Sequence, residues 1–264
     1  MDNIMLIILL IAVGLLLAII VGLSLKLRQL SWTLNTKLND IDRAFGQIRK
    51  QLGALSTSIE SSANETQNAV YLSQLDLTMP VFMGGWSIDT FLGKFLVQHV
   101  VESRPKTILE LGSGSSTVLI ARALEIVGIH DCTHIAVDHE PKYLGISREY
   151  ARLNGLEDRV TWLECPLRHY DEFDKLWYGG LLDRLEGKKI DLLAIDGPPG
   201  PIQRHSRYPA LPLLKRFLAE HCTVILDDAG RDEEQEIVQR WGNENPEFKV
   251  DLWPNGHGIA MLTR

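Results

Sequence analysis

Acidic side chains stand at the ends of several predicted β-strands. Asp196 follows one apolar run, and Asp227 and Asp228 follow another. Since the carboxyl ends of parallel strands share one edge of a sheet, these groups should converge there. Close carboxylates repel one another unless they share a proton or a cation, and oxygen-only ligands suit Mg²⁺. We therefore predict a divalent metal site at Asp196, Asp227 and Asp228. The alternative is that Asp227 or Asp228 caps the next helix and Asp196 only organises a Gly-Pro-Pro-Gly turn.

A glycine turn, Glu110-Leu-Gly-Ser-Gly-Ser-Ser-Thr117, follows an earlier apolar run. Gly112 and Gly114 allow a tight turn and a close approach of the backbone to a ligand. A dinucleotide fingerprint would have glycine or alanine where Thr117 stands, so the turn alone is a weak signal. Asp138 ends the next strand and is placed to accept hydrogen bonds from a ribose diol.

Strands and helices alternate through the second part of the chain, which predicts a mostly parallel sheet with helices on both faces. The predicted strands are 107–111, 134–138, 160–164, 190–195 and 223–226, followed by a closing hairpin of 248–252 and 258–262. The predicted helices are 117–127, 141–154, 210–219 and 233–241.

The first 28 residues are predicted to be a transmembrane anchor. Residues 4–25 carry no charged side chain, and as a helix they would span roughly 33 Å, enough for a bilayer core. A secretory signal peptide would have a basic start, a shorter apolar run and a small-residue cleavage site. Because Lys26, Arg28 and Lys37 all follow the span, the positive-inside rule places the rest of this single-pass protein in the cytoplasm.

Residues 29–78 are predicted to form a helical stalk and a linker. Apolar residues recur with heptad spacing at Leu34, Leu38, Ile41, Phe45, Ile48, Leu52, Leu55 and Ile59. This pattern favours a coiled coil that would make the protein a homo-oligomer through residues 34–59. The alternative is a single amphipathic helix lying on the membrane or on the domain. The polar stretch Ser56–Asn68 is predicted to be a hinge or linker.

Charge and cysteine content exclude several classes. Residues 79–264 hold 28 acidic and 21 basic side chains, which account for the whole net charge of −7. So acidic a region argues against nucleic acid as a partner. The three widely spaced cysteines indicate reduced thiols rather than a disulfide scaffold or a zinc ribbon.

The segments ILELGSGSSTVLIARAL, GLEDRVTWLECPL and DLLAIDGPPG, in this order and with an acidic residue ending the second strand, resemble the motifs of class I S-adenosylmethionine-dependent methyltransferases. The segments RYPALPLL and ILDDAGRDEEQEIVQRW extend the likeness to a subgroup related to the catechol O-methyltransferase type. The resemblance covers residues 79–264 and implies a Rossmann-like seven-stranded sheet.

The resemblance also implies roles for individual residues. Glu110 and the turn of Gly112, Ser113, Gly114, Ser115 and Ser116 would hold the methionine and ribose part of S-adenosylmethionine. Asp138 would bind the ribose hydroxyls, and His139 would lie beside the adenine. Glu164 and Cys165 would line the adenine pocket, although a buried filler is the favoured interpretation of Cys165.

The predicted reaction is O-methylation of a small-molecule, glycan or lipid-linked acceptor, with Asp196 in the catalytic and cofactor site. Catechol-type enzymes have a lysine base three positions after this aspartate, where this chain has Pro199. His205 and His257 are the alternative candidates for the base. Two other functions stay open: a membrane-tethered interaction protein with a degenerate methyltransferase domain, and a nucleotide-dependent oxidoreductase.

Overall fold

The computed structural model describes residues 2–264, which divide into two units, one reaching to residue 60 and one of residues 61–264. Helix α1, Asp2–Ser73, begins in the first unit and ends in the second. The apolar side chains from Ile4 to Leu25 are exposed, and this helix is long and apolar enough to cross a membrane. Length and composition therefore allow the predicted anchor.

The predicted linker at Ser56–Asn68 is wrong, because these residues continue helix α1. Their hydroxyl groups find partners inside the helix: Thr57 donates to the carbonyl of Gly53 at 3.1 Å, and Thr66 donates to that of Ser62 at 2.8 Å. Such bonds back to the preceding turn allow polar residues to remain helical. Near the end of the helix, Leu72 is already buried in the core of the second unit.

A seven-stranded sheet forms the centre of the second unit, in the order β3-β2-β1-β6-β7-β9-β8. Its strands are β1 (Thr107–Leu111), β2 (Thr133–Asp138), β3 (Val160–Glu164), β6 (Ile190–Ile195), β7 (Leu218–Asp227), β8 (Lys249–Trp253) and β9 (Ile259–Thr263). Strand β9 runs antiparallel to both its neighbours, while β1, β2, β3, β6 and β7 are parallel. The predicted Rossmann-like seven-stranded fold is confirmed.

Helices cover both faces of this sheet, as predicted. Helices α2 (Thr90–Ser103), α3 (Ser115–Ile126) and α4 (Pro141–Leu153) lie on one face, where Ile108 and Leu192 of the sheet pack. Helices α5 (Leu181–Arg184), α6 (Ala210–Leu214) and α7 (Asp232–Glu244) lie on the other, around Leu109 and Leu193. The central strands are buried on both sides, which explains their nearly continuous apolar sequences.

Two features differ from the sequence prediction. A separate hairpin of β4 (Leu167–Tyr170) and β5 (Lys175–Tyr178) follows β3. The helix predicted at 210–219 is shorter, since a 3-10 turn, Lys215–Phe217, ends it and β7 begins at Leu218.

Between β1 and β6 the sheet order reverses, and ligands of open α/β sheets bind at such a point.

Candidate functional site

The turn after β1 packs directly against the turn after β6. The amide groups of Asp196 and Gly197 donate to the carbonyl of Leu111 at 2.9 and 2.8 Å. Gly112 has φ +98°, and a Cβ there would lie 3.3 Å from the nitrogen of Gly197. Both the backbone angle and the close approach require glycine at this position.

The first turn of α3 is held by its own side chains. Thr117 is fully buried, and its hydroxyl accepts a hydrogen bond from the amide of Gly114 at 3.2 Å. The hydroxyl of Ser115 donates to the carbonyl of Phe82, in the loop before α2. The threonine that departs from the dinucleotide fingerprint therefore caps the helix. Space is open where a side chain on Gly114 would stand.

Asp138 is a hydrogen-bond acceptor at the end of β2. One carboxylate oxygen accepts from the amide of Ser113 at 3.2 Å and from its hydroxyl at 3.0 Å, and the other accepts from the amide of Glu140 at 3.0 Å. Burial alone would raise the pKa of this carboxyl, but hydrogen bonds from His139, Glu140 and Ser113 outweigh burial and lower it. Asp138 is therefore ionised and links the glycine turn to β2.

The other predicted adenine-side residues lie around Asp138. His139 is largely buried, and its ring centroid lies 6.4 Å from that of Tyr178. Glu164 is exposed at the end of β3, in register with Asp138. Cys165 is fully buried in the core, where burial raises the pKa of its thiol. Its surroundings fit the favoured interpretation of a core residue.

Glu110 is buried and contacts a residue that the sequence analysis did not single out. Its Oε2 atom lies 2.7 Å from Nε2 of His134 on β2, and both side chains are at most 1% exposed. Its Oε1 atom is buried without a hydrogen-bond partner among the described residues. Glu110 lines a cleft at the switch point together with Gly112, Ser116 and Asp196.

The three carboxylates predicted to bind a metal do converge. Oxygen atoms of Asp196, Asp227 and Asp228 lie within 4.8 Å of one another, and Asp196 and Asp227 also line the cleft. Burial, together with the charges of Asp196 and Asp228, raises the pKa of Asp227 to about 8. Burial and the neighbouring carboxylates therefore disfavour the charged form of Asp227, so the cluster needs positive charge nearby.

Part of the compensation comes from Arg207, which the sequence analysis missed. Its buried guanidinium lies 3.0 Å from Oδ1 of Asp196 and 2.9 Å from Oδ2 of Asp228, and it donates to the carbonyl of Asp227 at 2.9 Å. Arg231 adds a second contact to Asp228 at 2.8 Å. The sequence signal for such a partner was the excess of acids over bases: three carboxylates were predicted to converge, with only Arg231 close to them along the chain.

The two candidate bases lie in different surroundings. Nδ1 of His257 lies 3.7 Å from Oδ1 of Asp228, and the imidazole is partly exposed. Nε2 of His205 lies 2.6 Å from a carboxylate oxygen of Glu236 on α7. The turn that carries His257 is fixed by Asp89, which accepts from the His257 amide at 2.6 Å. Of the two histidines, His257 is the one in direct contact with the carboxylate cluster.

Comparison with known proteins agrees with this arrangement. A family model described as a methyltransferase domain matches residues 109–229. No curated protein sequence matches the chain. The family-model match confirms the predicted methyltransferase domain within the second part of the chain.

Solved structures share the fold at low sequence identity. An O-methyltransferase from Bacillus cereus in complex with S-adenosylhomocysteine is 16% identical, with a TM-score of 0.52 over 76% of this chain and 91% of that one. An O-methyltransferase from Streptomyces achromogenes, involved in tomaymycin synthesis and solved with S-adenosylmethionine, is 13% identical, with a TM-score of 0.51 over 77% and 98%. A Podospora anserina methyltransferase bound to S-adenosylhomocysteine is 18% identical, with a TM-score of 0.51 over 67% and 79%.

Proposed function

We propose that the methyltransferase domain identified by these matches transfers the methyl group of S-adenosylmethionine to an oxygen of its acceptor. The observation that carries the proposal is the cleft at the switch point, where Glu110, Gly112, Ser116 and Asp196 meet at the ends of β1 and β6. This is the place where an open α/β sheet binds its ligand.

The residues in and next to the cleft have the chemistry that the cofactor needs. The buried Oε1 of Glu110, which has no protein partner among the described residues, is suited to accept a hydrogen bond from the cationic amino group of the methionine part. Gly112 and Gly114 allow close approach of the backbone, and Asp138 is ionised and suited to the ribose hydroxyls. The bound cofactor would supply an activated methyl group on its sulfonium sulfur.

For the acceptor, the chain must align a hydroxyl with the methyl group and remove its proton. We assign the base to His257 rather than His205, because His257 borders the carboxylate cluster whereas His205 contacts Glu236 on α7. Asp228, 3.7 Å from the His257 imidazole, would stabilise the imidazolium formed when the proton is taken up.

Asp196, Asp227 and Asp228 are also the residues that would hold Mg²⁺. Their oxygen atoms converge, and burial together with the charges of Asp196 and Asp228 raises the pKa of Asp227, although Arg207 and Arg231 contact the cluster. A cation there would lower the pKa of the acceptor hydroxyl. The proposal therefore includes a divalent ion, with both arginines as permanent neighbours of the carboxylates.

The first 28 residues are proposed to anchor the protein, with residues 4–25 in the bilayer and the catalytic domain in the cytoplasm. The basic residues that follow the apolar segment support this orientation. Within the first unit, the heptad side chains from Leu34 to Ile59 are exposed, which supports self-association through this seam. A membrane anchor favours a lipid-linked or envelope-glycan acceptor among the proposed small-molecule acceptors.

Calorimetric titration of the full chain in detergent with S-adenosylmethionine tests the proposal. Asp138→Asn should weaken binding by about tenfold, since a buried ribose hydroxyl loses an ionised acceptor. Asp171→Asn, at a fully exposed carboxylate of the β4–β5 hairpin, is the matched control and should bind like the wild type. A wild-type chain without affinity would favour the membrane-tethered interaction protein, and hydride transfer in a cofactor screen would favour the oxidoreductase.

A further inference from the structure

The proposed chemistry uses Glu110 but gives no role to His134, the residue with which it is paired. His134 lies on β2, in register with Ile108 of β1 and Val160 of β3, and its side chain has no solvent exposure. Its Nδ1 atom has no hydrogen-bond partner among the described residues, so its one polar contact is that of Nε2 with Glu110 at 2.7 Å. A polar side chain that is fully buried near the start of a strand needs a compensating interaction, because its burial costs free energy.

The contact between His134 and Glu110 determines which atom donates and which carboxylate oxygen remains available to a ligand. A neutral imidazole carries one N–H group. In His134 only Nε2 has an acceptor nearby, so the hydrogen belongs on Nε2. His134 therefore donates to Oε2 of Glu110. The Glu110 carboxylate is thus fixed through Oε2 by a residue of the neighbouring strand. Its other oxygen, Oε1, has no hydrogen-bond partner among the described residues, and Glu110 lines the cleft.

We propose that His134 is a positioning residue for the cofactor: it fixes the Glu110 carboxylate so that Oε1 receives the amino group of the methionine part. The inference rests on the proposed function. The nucleoside part of the cofactor, bound at Asp138, lies outside this contact. Loss of the His134 N–H should therefore weaken binding of ligands that carry the amino acid and spare ligands that lack it.

The test compares S-adenosylhomocysteine with 5′-methylthioadenosine, which keeps the nucleoside and lacks the amino-acid end. Both are titrated into the full chain in detergent, for the wild type, His134→Leu and His134→Gln. His134→Leu should weaken S-adenosylhomocysteine by about tenfold, the effect of one hydrogen bond to a charged group, and should leave methylthioadenosine affinity unchanged. His134→Gln offers an amide N–H in place of Nε2 and should restore most of the lost affinity.

A double variant adds a check that a purely structural histidine would not pass. In Glu110→Ala the acceptor of the His134 N–H is gone, so His134→Leu in that background should have little further effect on S-adenosylhomocysteine. Equal loss of both ligands in His134→Leu, or loss of neither, would overturn the inference while the proposed function stands. A wild-type chain that binds neither ligand would overturn the proposed function and this inference with it.

Discussion

Replacing Arg207 by methionine should destabilise the domain strongly, because it removes the buried cation from the carboxylate cluster. The guanidinium is only 4% exposed and contacts Asp196 at 3.0 Å and Asp228 at 2.9 Å. It also lies 3.7 Å from the buried Glu234. Methionine fills much of the same space but removes the one cation that contacts both Asp196 and Asp228, and of the arginine contacts only that of Arg231 with Asp228 remains.

The size of the effect follows from burial. Removing one partner of a buried ion pair costs about 3–5 kcal/mol, because the other charge stays buried and uncompensated. For a unit of this size, a loss of 1 kcal/mol lowers the Tm by about 2–4 °C, so the Tm of Arg207→Met should fall by roughly 6–20 °C. Arg204 is the matched control in the same loop: it is 65% exposed and pairs with Glu236, so Arg204→Met should cost less than about 1 kcal/mol.

Thermal unfolding of the full chain in detergent, followed by circular dichroism in EDTA and then in Mg²⁺, measures this. The Tm of Arg207→Met should rise on addition of Mg²⁺ by more than that of the wild type, because a bound cation replaces part of the lost charge and stabilises the folded state. Arg207→Lys should fall between the wild type and the methionine variant. If Arg207→Met unfolds within about 2 °C of the Arg204→Met control, the guanidinium is not the counter-ion of the cluster and the reasoning is refuted.

Four further predictions concern the same cluster and the anchor. Because the pKa of Asp227 is raised to about 8, the folded domain keeps a proton that the unfolded chain releases near its ordinary pKa. Stability in EDTA should therefore fall as the pH rises from about 4 to about 8. In urea titrations Asp227→Asn should show a smaller fall, because the pKa of Asp196 is also raised, to about 6. EDTA should abolish turnover and spare S-adenosylhomocysteine binding, and full activity in excess EDTA would mean that the carboxylates have only a structural role. His257→Ala should lower kcat more than His205→Ala, because His257 is the proposed base. A reporter fused to the C-terminus should read as cytoplasmic, and a luminal or periplasmic signal would contradict the orientation.

The strands were predictable because they are short apolar runs that end in polar turns. The predicted strand at 107–111 matches β1, and Asp138, Asp196 and Asp227 lie at strand ends as expected. The β4–β5 hairpin was missed because its strands carry mixed polar and aromatic residues and have only four residues each. The stretch Ser56–Asn68 was predicted to be a hinge or linker because serine and threonine favour turns, whereas here their side chains bond to their own helix.

The basic partners of the acidic residues were harder to predict. Arg207 lies in a loop eleven positions after Asp196, and only the fold brings its guanidinium to the carbonyl of Asp227 at the end of β7. His134 looks like an ordinary strand residue in His-Ile-Ala-Val, and its pairing with Glu110 depends on the register of β1 and β2. Spacing along the chain carries no information about either contact, because both are made across the sheet or between loops.

The two buried basic residues act on their acids in the same way. His134 engages Oε2 of Glu110, and Arg207 engages Oδ1 of Asp196, in each case leaving the second carboxylate oxygen of a cleft-lining residue without a bond to that partner. An acid whose orientation is already fixed by a protein partner needs little reorganisation when a ligand binds. Such preorganisation is the condition for strong electrostatic binding in a site from which part of the water is excluded. Glu110 and Asp196 are therefore oriented before any ligand binds. Substitutions at His134 and Arg207 separate their contributions: the first should alter affinity for the amino-acid end of the cofactor, and the second should alter the stability and cation response of the carboxylate cluster.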